Sequence, residues 1–89
     1  MILNQTKTFL RDCKKFKMSD KHYTRFVQYL ALLSQGQTLP VEAKDHELKG
    51  EWMDFREFHV SGDLLVIYQI TGETIKLVRL GTHSQLFKG

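Results

Sequence analysis

The 89-residue sequence is poor in the residues that mark specialised architectures, with one cysteine, one proline, one tryptophan and six glycines. A lone Cys13 excludes an intrachain disulfide and any zinc site built on cysteines, so the fold must rest on packing, with Cys13 as a small core residue. A content of 42% hydrophobic and 11% aromatic residues excludes disordered, collagenous and solenoid classes and predicts one globular domain over residues 1–89. Long hydrophobic runs are also missing. The longest, Tyr29 to Leu33 and Leu64 to Tyr68, hold five residues each, against the roughly 20 that cross a bilayer. The N-terminal MILNQTKTFLRDCKK places its basic residues after the few apolar ones and has no h-region, so a cytoplasmic protein without membrane contact is expected.

Charge is absent from one stretch and concentrated in others. Residues 1–25 carry seven basic and two acidic side chains, residues 26–40 carry none, residues 41–63 carry three and seven, and residues 64–89 carry three and one. A basic N-terminal part suits a polyanion, which Lys and Arg bind by neutralising phosphates and releasing counterions; the same pattern also fits a solvated helix face.

Periodicity supplies the elements. Phe9, Leu10, Cys13 and Phe16 fall at i, i+1, i+4 and i+7, which predicts an amphipathic helix over Thr6 to Lys17. The Met18–Ser19–Asp20 segment offers N-cap oxygens for a second helix with apolar positions Tyr23, Phe26, Val27, Leu30 and Leu33, stopped at Gly36 with Pro40 beyond. The segment from Val41 to Gly50 holds no period and reads as an ordered loop or short edge strand. From Met53 to Val60 the period becomes two, with Phe55, Glu57 and His59 on one face and Asp54, Arg56 and Phe58 on the other. Ser61 and Gly62 turn the chain into Asp63 to Ile70, a central strand apolar on both faces. Thr71, Gly72 and Glu73 turn it again into Thr74 to Leu80, leaving Gly81 to Gly89 as a tail with Leu86 and Phe87 free to dock. Ile2 and Leu3 suit a short first strand. The expected class is α+β, a helix hairpin on one face of a small, mainly antiparallel sheet.

This order brings ionisable groups together. A hairpin closed at Ser61 and Gly62 sets His59 and Asp63 at its mouth, within about 5 to 7 Å by cross-strand spacing. The next hairpin returns Gly81 to the same end, with His83 just beyond. His46 sits in the loop before the meander, where spacing alone does not fix it. Imidazoles and a carboxylate beside a basic surface suit proton transfer at neutral pH. Zinc is the rival chemistry, but no HxH or HExxH spacing supports it, and no metal or cofactor is expected.

The run KDHELKGEWMDFREFHVSGDLLVIYQI, residues 44–70, and LVRLGTHSQLF, residues 77–87, resemble the YafQ-type branch of the RelE/ParE superfamily of bacterial type II toxins. KDHxLxG, FRxxH, the turn into DLLxIY and VRLGxHSxLF stand in the family's order; the first part of the chain matches only as two helices before a sheet. The resemblance implies a ribosome-dependent mRNA endoribonuclease neutralised by a cognate antitoxin in a hetero-oligomeric complex. It carries catalytic roles onto His46, His59, Asp63 and His83. It implies substrate contacts for Phe87, through base stacking unless the ring simply docks on the fold, and for Arg79 and Arg56, although Arg56 lies on the face opposite His59 and suits a structural pairing. Trp52 and Phe55 read as core.

The implied chemistry is metal-free transesterification. His83 serves as general acid, the His59/Asp63 pair as base and His46 as a phosphate contact, with acid and base exchangeable. Two other functions fit the same elements: a ParE-like gyrase poison without nuclease chemistry, which the histidine set disfavours, and a small nucleic-acid-binding module with structural histidines.

Overall fold

Thr6 joins the first strand to the first helix. Its backbone N–H donates to Leu77 O at 3.0 Å, and its hydroxyl donates to Val78 O at 2.9 Å while accepting from Phe9 N at 2.9 Å. One side chain thereby caps a helix and fastens it to a strand far along the chain. In the computed structural model, which describes residues 1–87, strand β1 (Ile2–Gln5) precedes Thr6 and helix α1 (Lys7–Lys15) follows it. Helix α2 (Asp20–Ser34) starts at Ser19, whose hydroxyl accepts from His22 N at 3.1 Å. It ends where Gly36 takes a φ of +73°, with Gly36 N and Gln37 N donating back to Leu33 O and Leu32 O. That paired closure needs a left-handed residue, which glycine adopts without strain.

The buried stripe of α2 is Phe26, Tyr29 and Leu33, with Leu30 half-buried, while Tyr23 and Val27 remain 55% and 45% exposed. The expected stripe is therefore rotated. Phe58 of the sheet sets the rotation, since Phe26 stacks on it at 6.5 Å and Tyr29 meets it edge-on at 5.7 Å. On α1, Phe9 is buried and Cys13 and Phe16 are half-buried, but Leu10 is 45% exposed.

The chain then makes a short turn at Val41–Ala43, strand β2 (His46–Glu47), another turn at Gly50–Trp52, strands β3 (Arg56–Ser61), β4 (Leu64–Thr71) and β5 (Thr74–Thr82), and helix α3 (His83–Leu86). The five strands form one sheet in the order β1-β5-β4-β3-β2, with β1 parallel to β5 and the other pairs antiparallel. The α+β class and the helix hairpin on one face stand as expected. Both faces of β4 are covered. Leu64, Val66 and Tyr68 face the helices, and Leu65 and Ile67 lie under Leu48, Trp52, Phe55, Leu86 and Phe87.

Two boundaries depart from the expectation. The strand read from Met53 begins at Arg56, because Asp54 takes a φ of +80° and turns the chain first. The segment from Val41 to Gly50 holds a two-residue edge strand, as one of its two expected forms had it. The expected tail is instead the end of β5 followed by α3, and its last residues, Lys88 and Gly89, lie outside the described residues. A bulge in β5 between the partners of Ile67 and Tyr68 inserts Val78 and keeps both Leu77 and Leu80 on the helix side. Among the described residues no helix is long and apolar enough to cross a membrane.

Candidate active site

The sheet face away from the helices carries the ionisable groups. His46 of β2 lies directly opposite Glu57 of β3, and its Nε2 sits 3.0 Å from Glu57 Oε1. Its Nδ1 is 2.7 Å from the carbonyl of Lys44, a residue turned by a φ of +49°. A carbonyl only accepts, so Nδ1 carries a proton. The contact between Nε2 and a carboxyl oxygen then needs a second proton, present either as imidazolium facing carboxylate or as imidazole facing carboxylic acid. The carboxyl is 4% exposed, whereas the His46 side chain is 51% exposed. Glu57 Oε2 has no hydrogen-bond partner, alone in this among the buried side-chain polar atoms of the described residues.

His59 stands two residues along β3 on the same face. Its Nδ1 lies 3.3 Å from Gly62 O, a carbonyl that accepts a hydrogen bond from Nδ1–H, so in the neutral ring Nε2 is the lone-pair atom. Asp63 does not bond His59. It accepts the backbone N–H of His83 at 3.1 Å. His59, Asp63 and His83 do gather at one end of the sheet, as the hairpin arithmetic predicts, but the carboxylate anchors the start of α3. That start is further fixed by a reciprocal cap, with Thr82 Oγ1 accepting from Gln85 N at 3.3 Å and Gln85 Oε1 accepting from Thr82 N at 2.9 Å. Gly81 lets the helix fold back so closely, since a Cβ there would stand 2.9 Å from Gln85 Oε1 and 3.2 Å from Leu86 Cδ2.

Phe87 is half-buried, 4.9 Å from the His83 ring and 6.1 Å from Trp52. It docks on the fold and still borders the histidine. Trp52 and Phe55 pack together at 5.5 Å in the same small cluster. The two arginines are held elsewhere. Arg79 binds Asp12 of α1 through Nε at 2.8 Å and Nη2 at 3.3 Å, and Leu80 N donates to the same carboxylate at 2.9 Å. Arg56 points away from His59, with its Nε 3.3 Å from both Asp45 Oδ1 and Tyr68 Oη. Cys13 stays with the core, and burial, then the nearby Asp12 charge, push its thiol pKa up, away from reactivity.

The residue that sequence reasoning passed over is Glu57. Alternation places it beside His59, but only the register of the two-residue β2 brings His46 onto it.

A helix pair thus backs a mixed sheet of a small α+β protein, with His46, His59 and the buried Glu57 on the sheet's other face and His83 at its end. The family model described as the bacterial toxin of type II toxin–antitoxin systems, YafQ, matches residues 1–88, and the chain belongs to that family. The mRNA interferase toxin YafQ of Escherichia coli K12 is 37% identical over 78 residues, covering 83% of this chain and 85% of that protein. A copper-bound mutant toxin from Helicobacter pylori superposes with a TM-score of 0.89 at 32% identity, covering 98% and 99% of the two chains. The toxin–antitoxin complex of DinJ and YafQ from E. coli superposes with a TM-score of 0.79 at 28% identity, covering 96% and 94%. Among the described residues, no three His, Cys, Asp or Glu side chains are grouped to hold a metal ion.

Proposed function

We propose that this chain is the toxin of a type II toxin–antitoxin pair, an endoribonuclease that cleaves mRNA on the ribosome in the cytoplasm by acid-base transesterification without a metal. A cognate antitoxin binds it in a hetero-oligomer and neutralises it. The observation that supports the reading is that His46, opposite Glu57, and His59, two residues along β3, share the open face of the sheet, while Asp63 anchors the backbone of His83 at the end where His59 stands.

His59 Nε2, its lone pair free while Nδ1 is pinned to Gly62 O, takes the proton of the ribose 2′-OH. The 2′-oxygen attacks phosphorus, and the bond to the 5′-oxygen breaks. His83, exposed and with Asp63 holding only its backbone, protonates that leaving oxygen. By register the backbone at His59 and at Gly81 are two strands apart, about 10 Å, a span that two imidazoles reaching inward close onto one phosphate. His46, oriented by Glu57 and the Lys44 carbonyl, contacts the phosphorane oxygens. Asp63 positions His83, and Phe87 offers the nucleobase a ring beside it. Arg79 and Arg56 serve in this reading only if substrate draws them from their carboxylates.

The test is cleavage of a reporter mRNA in a translating extract with Mg²⁺ retained and transition metals removed by a selective chelator. Fragments should carry a 2′,3′-cyclic phosphate or 3′-phosphate and a 5′-hydroxyl, and a 2′-deoxy nucleotide at the scissile position should block the cut. Cutting of the deoxy substrate to 5′-phosphate ends would refute the mechanism. Undiminished translation with damaged DNA would point to the gyrase-poison alternative.

A further inference from the structure

The open face is only half of the arrangement around His46. Strand β2 is two residues long, at the sheet edge, and pairs with β3 only through His46↔Glu57 and Glu47↔Arg56. So short a ladder holds an edge strand weakly. Its fixation comes from the opposite face. Asp45, immediately before His46, accepts the Tyr68 hydroxyl at 2.5 Å and Arg56 Nε at 3.3 Å. Arg56, immediately before Glu57, also reaches Tyr68 Oη at 3.3 Å and Glu47 Oε1 at 3.6 Å.

Each member of the His46–Glu57 contact is thus one peptide bond from a member of this network, on strands whose side chains alternate between faces. Tyr68 is its root. It is fully buried, lies opposite Arg56 in the ladder and packs against Phe58 at 5.6 Å.

We infer that Tyr68 is a positioning residue for RNA cleavage, acting through Asp45 to hold the His46 ring over Glu57 from the far side of the sheet. The inference rests on the nuclease reading above for its effect on rate, but not for its effect on His46. Burial, and after it the hydrogen bond to Asp45, raise the Tyr68 pKa well above the usual phenol range, so the hydroxyl remains a donor wherever the protein works. Without that donor, Asp45 keeps only the longer Arg56 contact, and the Lys44 carbonyl that orients the ring is freed to move with the loop.

The substitution Tyr68→Phe keeps the buried ring and removes the hydroxyl alone. Cleavage kcat should fall roughly 10- to 100-fold, the scale of a small misplacement, with affinity for RNA unchanged. The decisive readout is the ¹⁵N shifts of the histidine rings: those of His46 should change as its contacts with the Lys44 carbonyl and Glu57 loosen, while those of His22 on α2 stay as in the wild type. Asp45→Ala, which alters a partly exposed side chain, should give the same signature and serves if Tyr68→Phe does not fold. His46 shifts unchanged in both variants would overturn the inference, whether kcat is preserved or falls only with the fraction folded. Absence of cleavage by the wild-type chain would refute the nuclease reading instead, and the ring shifts would still judge the role of Tyr68.

Discussion

Replacing Glu57 by Gln separates what this residue does for the fold from what it does for the site. The carboxyl is 4% exposed and leaves Oε2 without a partner, a burden of about 1 to 3 kcal/mol on the folded state. Glutamine keeps the shape, brings no charge into the interior and can donate an N–H to His46 Nε2. His46 is 51% exposed, so removing the carboxylate opposite it leaves no buried unpaired charge, the condition that makes breaking such pairs costly. E57Q should therefore be as stable as the wild type or more so by about 1 kcal/mol, which in a domain of this size raises Tm by roughly 4–8 °C. Cleavage should move the other way. Without the carboxylate that faces and orients it, the His46 ring stabilises the phosphorane less, and kcat should fall roughly 10²- to 10³-fold, the scale of one lost electrostatic contact in a transition state. Thermal denaturation by circular dichroism and single-turnover cleavage in a translating extract read the two effects. A Tm lowered by roughly 10 °C, more than 1 kcal/mol lost on this scale, would show that the carboxylate stabilises the fold. Cleavage reduced by less than about threefold, against the 10² expected, would show that Glu57 does not act on the phosphate through His46.

Three further outcomes follow from the geometry. His83→Ala should lower cleavage roughly 10²- to 10⁴-fold with an unchanged circular dichroism spectrum, because the bond to Asp63 and the Thr82–Gln85 cap use backbone groups at position 83 or none of its atoms; unfolding would make His83 structural. Gly81→Ala drives a Cβ against Gln85 Oε1, 2.9 Å away, so the cap should open at a cost of about 1 kcal/mol and cleavage should fall less than in His83→Ala; an Oε1 still bonded to Thr82 N in a crystal structure of the variant would contradict this. Asp12→Ala strands Arg79 and the amide of Leu80 together and should destabilise the chain by about 2 kcal/mol, read from urea denaturation; a midpoint equal to the wild type would sink it.

The helix hairpin, the meander and the meeting of His59, Asp63 and His83 were legible because each follows from local period and turn chemistry. Ser19, Gly36, Gly62 and Gly72 punctuate the chain where caps and tight turns need them. The rotation of α2 was not legible, since Tyr23 and Tyr29 suit a helical stripe equally well until Phe58 selects one. Nor was the His46–Glu57 contact, because VEAKDHELKG carries no alternation from which the register of β2 could be read. The bond from Asp12 to Arg79 joins residues 67 positions apart, and no sequence pattern announces it. Helix α3 did have a signal, the Thr82-x-x-Gln85 pair of a reciprocal cap, in a stretch too short for periodicity to register.

Strand β1 ends at Gln5, yet β5 runs on to Thr82, and that unmatched length would offer open backbone groups to any passing strand. Thr6, the N-cap of α1, and Asp12 within the helix occupy part of it. Thr6 covers the carbonyls of Leu77 and Val78, and Asp12 covers the amide of Leu80. The segment leading into His83 is thereby partly sealed against recruitment into intermolecular sheets by a helix standing in for a sixth strand. The rim beside His83 is thus occupied by helix side chains at Val78 and Leu80, while the sheet end that carries His83 stays uncovered.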